Sequence, residues 1–126
     1  MAYIIACLMA ALSFLANKLL LKYIGPQVIV TWGPVVEEAA KTLLAWQLSA
    51  DILLTHIVFG LLEGAYDWLT GGQYRLQAAL ASVAGHTLFG YGTVAVLGFT
   101  GSVLLAAAGA MVIHGAWNMA IIRLQQ

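Results

Sequence analysis

The sequence predicts an all-α integral membrane protein, a compact bundle of about five transmembrane helices. Three observations predict it. Of 126 residues, 63% are hydrophobic and only 8% are charged, whereas an ordinary soluble domain has about 45–50% apolar and about 25% charged residues. Mean hydropathy is +0.94. The apolar residues fall into successive stretches near the ~20 residues that a spanning helix needs, separated by short polar or glycine-containing breaks. Residues 1–126 therefore read as a single transmembrane domain with no room for a soluble one.

The first span is Ala2–Tyr23. It does not read as a signal peptide, because no basic residue precedes the apolar stretch while Lys18 and Lys22 close it. Gly25-Pro26 ends it, since proline cannot continue a helix and disfavours helix in the residue before it. The second span is expected over about Gln27–Leu48, with a kink or restart at Gly33-Pro34. Ser49-Ala50-Asp51 turns the chain into a third span, about Ile52–Leu69. The loop from Thr70 to Arg75 leads to a fourth, about Leu76–Gly98, and Phe99-Thr100-Gly101-Ser102 to a fifth, about Val103–Ile122. The tail is Arg123-Leu124-Gln125-Gln126. Small residues at helix-packing spacing, Gly60/Gly64, Ala81/Gly85 and Ala106/Ala110, allow close helix approach.

Charge sets the orientation and excludes several function classes. Lys18, Lys22, Arg75 and Arg123 all fall on one side of a five-span chain, and the other side has only Asp51. The positive-inside rule then places the N-terminus outside and the C-terminus in the cytoplasm, with a prokaryotic plasma membrane as the expected location. Five Lys/Arg balance five Asp/Glu without a basic run, so no nucleic-acid partner is expected. The single cysteine, Cys7, supports neither an internal disulfide nor a CxxC site.

The chemistry lies in polar residues inside the spans: Glu37, Glu38, Lys41, His56, Glu63, His86, His114 and Asn118. A charge at mid-membrane costs at least about 2.5–3.5 kcal/mol and usually marks function. Counted from the basic ends, Glu37, Glu63, His86 and His114 lie roughly 13–18 Å deep, near the middle of a ~30 Å core, on four different helices. One cavity lined by them is the expectation, with only one of the adjacent Glu37 and Glu38 facing it. Lys41 stands four residues after Glu37 and three after Glu38, so it can pair with either. His56 lies towards the other end of its span, where a hydrogen bond to a neighbouring helix is the simpler reading.

No GxSG serine motif, no GxGD aspartyl motif after Tyr66-Asp67 and no HExxH zinc motif is present. Carboxylates, imidazoles and an amide suit hydrolysis by an activated water. Glu37-Glu38-Ala39-Ala40-Lys41 matches EExxK and Phe59–Glu63 matches FxxxE. His86 stands alone in span four, and His114–Asn118 matches HxxxN. In this order, on successive spans, over about residues 34–118, the chain resembles the PrsW glutamic-type intramembrane proteases, within the clan of type II CAAX prenyl endopeptidases.

The resemblance implies a metal-independent, cofactor-free endopeptidase acting on membrane-embedded or membrane-adjacent peptides. It implies Glu37 or Glu38 as base, Glu37 preferred, with His86 as partner on the water and His114 with Asn118 as oxyanion donors. Lys41 and Glu63 would be supporting residues; Glu63 stands where the CAAX branch has a histidine. The family usually has more spans, and a homo-oligomer would supply what five lack. Three other readings stay open: a small proton-coupled carrier, a non-catalytic clan relative acting as an assembly scaffold, and a metal site from Glu63, His86 and His114.

Overall fold

The described residues form five α-helices, with glycine or proline at three of the four breaks and Ser49-Ala50-Asp51 at the other. The structure is a computed structural model describing residues 1–124, so Gln125 and Gln126 of the tail lie outside the described residues. Helix α1 spans Ala2–Tyr23, α2 Trp32–Gln47, α3 Ile52–Thr70, α4 Arg75–Thr100 and α5 Val103–Leu124. Gly25, at φ 100°, stops α1, and Pro26–Val30 forms a short 3-10 turn. Pro34 lies in the first turn of α2, where a missing N–H costs least, so the helix restarts at Trp32 instead of kinking. The Asp51 side chain caps α3 by accepting from the Leu54 amide at 2.8 Å. Gly101, left-handed at φ 66°, ends α4.

Four helices, α1, α3, α4 and α5, are long and apolar enough to cross a membrane. This is a multi-pass helical membrane bundle. The fifth, α2, has 16 residues and carries Glu37, Glu38 and Lys41. It rises about 24 Å, short of the expected span over Gln27–Leu48, because the 3-10 turn takes up the first part of that stretch.

The helices close into a ring in the order α1, α3, α4, α5, α2 and back to α1, with α3 and α4 sharing the most extensive contact. Consecutive helices run in opposite directions. The C-terminal ends of α1, α3 and α5 therefore share one end of the bundle, and with them Lys18, Lys22, Arg75 and Arg123. The α3–α4 contact depends on missing side chains. A Cβ on Gly60 would stand 2.8 Å from His86 Cβ and 3.1 Å from the Ser82 carbonyl, and one on Gly90 would stand 2.8 Å from His56 Cβ. These glycines bring both histidines hard against the neighbouring helix.

Polarity is inverted relative to a soluble protein. Leu8, Leu12, Leu15 and Leu19 line the outer face of α1, each about half exposed or more, whereas Glu38, Lys41, Thr42, Thr55 and His56 are fully buried. An apolar cluster of Ile5, Ala6, Met9, Ala10 and Phe59 packs the N-terminal half of α1 against α3. Beside it the interior turns polar.

Candidate functional site

Helix α2 brings two adjacent carboxylates into the ring, and they meet different surroundings because neighbouring helical residues point about 100° apart. Glu38 faces the centre. Its Oε1 accepts from Lys41 Nζ at 2.7 Å and from His114 Nδ1 at 2.8 Å, and Oε2 lies 3.5 Å from His56 Nδ1. Lys41 Nζ also reaches His86 Nδ1 at 2.9 Å, and His86 Nε2 is 2.6 Å from Glu63 Oε2. Five side chains from four helices thus form one continuous chain, Glu63–His86–Lys41–Glu38–His114. Lys41 is fully buried and also lies 4.0 Å from the centroid of the Phe59 ring.

Glu37 faces the other way, towards α1. Asn17 Nδ2 donates to its Oε1 at 2.7 Å, while Oε2 is buried with no hydrogen-bond partner among the described residues. Glu37 lines a cavity of about 650 Å³ with Asn17, Lys18, Glu63, Asp67 and Asn118. A second cleft, of about 200 Å³, is lined by Glu63, Asp67, Ser82, His86, His114 and Asn118. Glu63, Asp67 and Asn118 border both, so the two spaces adjoin, with Glu37 on one side and the two imidazoles on the other.

A carboxylate oxygen of Glu37 and one ring nitrogen each of His86 and His114 lie within 4.8 Å of one another. At that spacing one water molecule reaches all three at about 2.8 Å, ordinary hydrogen-bond length. The same three side chains are a donor set of the kind zinc accepts, with Glu37 in place of the Glu63 expected from the sequence. Glu38, His56 and His86 form a second such trio. There the Lys41 ammonium sits 2.7 Å from Glu38 and 2.9 Å from His86, a cation already in place.

The structure thus brings together Glu37, Glu38, Lys41, Glu63, His86 and His114. Asn118 borders the same cavities, and its amide also donates to the Ile29 carbonyl at 2.8 Å, tying α5 to the 3-10 turn. Lys41 pairs with Glu38 and not with Glu37. His56 reaches a neighbouring helix as expected, through Thr42 Oγ1 at 3.3 Å, and it is also fully buried beside Glu38 in the central cluster, which its position along the span did not suggest. The signal was its spacing of seven residues from Glu63, two turns on the same face of α3.

Three further residues escaped sequence reasoning. Asn17 holds Glu37. Asp67, one turn after Glu63, accepts from Ser82 Oγ at 2.6 Å and lines both cavities. Compared with known proteins, the chain matches no family model, no curated protein and no solved structure.

Proposed function

We propose that the protein is an intramembrane endopeptidase in which Glu37 activates a water molecule against a peptide bond held in the adjoining cavities. The observation that supports this reading most is the free oxygen of Glu37. A general base needs an unengaged lone pair within reach of its water; Glu37 has an unpartnered Oε2, and its carboxylate lies within 4.8 Å of two imidazole nitrogens. Glu38 also keeps one unpartnered oxygen, Oε2, but its Oε1 accepts from Lys41 and His114 and Glu38 lines neither cavity, whereas Glu37 lines the larger one. In the proposed reaction Glu37 takes the water's proton and the oxygen attacks the carbonyl carbon. The negative charge on the tetrahedral carbonyl oxygen is met by N–H donors at the cleft, Asn118 among them. The proton then passes to the leaving amine as the C–N bond breaks. Substrates of this reading are membrane-embedded or membrane-adjacent peptides, cut without a metal or cofactor, and self-association would supply further helices around the cavities.

The continuous chain from Glu63 to His114 favours a second reading, a proton-coupled carrier, because linked titratable groups inside a membrane also make proton relays. Purified protein in liposomes with tagged single-span peptides separates the two. Peptide cleavage that is lost in Glu37→Gln and survives a chelator is the expected result. Cleavage abolished by chelator and restored by zinc would transfer the chemistry to the Glu37–His86–His114 metal set. Proton flux without any cleavage would leave the carrier.

A further inference from the structure

The hydrogen bonds around His86 and His114 differ in a way that decides where their protons sit. A lysine ammonium has three donors and no acceptor, and a carboxylate only accepts. Lys41 Nζ, 2.9 Å from His86 Nδ1, must donate, so Nδ1 keeps its lone pair and the ring proton goes to Nε2. That N–H then points at Glu63 Oε2, 2.6 Å away, an acceptor in the right place. His114 is the reverse case. Its Nδ1 lies 2.8 Å from Glu38 Oε1, which accepts, so the proton sits on Nδ1 and the lone pair on Nε2. We infer that Lys41 and Glu38 are positioning residues that hold the two histidines in opposite tautomers, so that His86 brings an N–H to the cleft and His114 a lone pair.

His56 provides the contrast within the same cluster. Its Nε2 meets the Thr42 hydroxyl, which can donate or accept, and its Nδ1 is 3.5 Å from Glu38. No partner there dictates a tautomer. Neither Glu38 nor Lys41 lines either cavity, so both act through the imidazoles and not on a substrate. The catalytic consequence, which rests on the peptidase reading, reverses the roles implied by the sequence resemblance. His114, backed by Glu38 as a carboxylate–imidazole pair, takes the proton that Glu37 removes from water. His86 is the N–H donor, released to the carbonyl oxygen when substrate displaces Glu63.

The test is nitrogen NMR of protein labelled with nitrogen-15 histidine in detergent micelles, where protonated and bare ring nitrogens give well-separated signals. With three histidines in the chain, single His→Gln variants assign them. Wild type is expected to show a bare Nδ1 on His86 and a protonated Nδ1 on His114. Lys41→Arg keeps a donor and the His86 pattern; Lys41→Met loses the donor and mixes the tautomers. If Lys41→Met does not fold, the wild-type spectrum alone decides. A protonated His86 Nδ1, with Lys41 neutral and the proton on Glu63, would overturn the inference. So would a His114 protonated on both nitrogens, which has no lone pair to offer. The spectrum needs no substrate: opposite tautomers in a protein that cuts nothing would sink the peptidase reading and leave the tautomer assignment standing.

Discussion

Replacing each of the two adjacent glutamates by glutamine should separate chemistry from architecture. In Glu37→Gln the new side-chain oxygen can still accept from Asn17 Nδ2, now 2.7 Å from Oε1. At most one hydrogen bond weakens, a stability cost of about 1 kcal/mol or less. What goes is the basic oxygen, and losing a general base costs about 10²–10⁴ in rate, or about 3–5 kcal/mol on the barrier. Glu38→Gln should do the opposite first. Glu38 and Lys41 are both fully buried, and Oε1 accepts from Lys41 and His114 together. Removing one partner of a buried ion pair strands the other and costs about 3–5 kcal/mol, a large share of the ~5–15 kcal/mol that holds a domain together. The assay is thermal unfolding in detergent beside peptide turnover, both on the same preparations. Glu37→Gln should melt like wild type and turn over at least about a hundredfold slower; Glu38→Gln should melt far lower. Wild-type turnover in Glu37→Gln, or wild-type stability in Glu38→Gln, would refute the division of labour.

Other substitutions test neighbouring parts of the argument. Asn118→Ala should lower kcat by about 10²–10³ with KM nearly unchanged, as for a lost oxyanion donor; near-normal turnover with a stability loss of about 1–2 kcal/mol would leave it only as the tie to Ile29. Gly60→Ala, which drives a Cβ to 2.8 Å from His86 Cβ, should cost about 1–3 kcal/mol of overpacking and reduce turnover by displacing His86; an unchanged melting temperature would show that α3 and α4 can part freely. His56→Ala should lower stability by emptying a buried position, yet leave turnover per folded molecule intact, and a selective loss of turnover would move His56 into the chemistry. Single cysteines at positions 75 and 123 should react from the cytoplasmic side and one near residue 2 from outside, as the basic-residue asymmetry requires; labelling of positions 75 and 123 from opposite faces would break the shared-end arrangement.

Much of the bundle was legible because its signals are local. Gly25-Pro26 ends α1 where the backbone must turn, and the predicted limits Ala2–Tyr23 coincide with the helix. The restart at Pro34 was legible only as one of two outcomes. Choosing restart over kink depends on what the 3-10 turn packs against, namely α1, α2 and α5. Depth counting along helices placed Glu63, His86 and His114 at one level, because rise per residue is nearly constant; Glu37 joins them although its count ran through the Pro26–Val30 turn. The same counting set His56 aside, since depth says nothing of which column of another helix stands opposite. The partner of Lys41 was illegible for a similar reason. Both glutamates lie within helical reach of it, and the choice is made by His86 and His114 converging on Glu38 from α4 and α5. Asn17 gave no signal, because a lone amide near the end of an apolar helix is unremarkable until Glu37 is seen beside it.

The shortness of α2 bears on how water reaches a site built in lipid. A helix rising about 24 Å stands against a hydrocarbon layer of about 30 Å. Lipid beside it must compress, or headgroups and water must sink to meet its ends, at a cost of fractions of a kcal/mol per Å of mismatch. The missing length lies at the Pro26–Val30 turn, next to the cavity that holds Glu37, Lys18 and Asp67. A thinned patch there would lie over the carboxylates, and the bilayer itself would bring solvent to them. For the proposed peptidase, bilayer thickness would then be a control on turnover: longer acyl chains would raise the cost of the dimple and starve the site of water, and shorter ones would feed it.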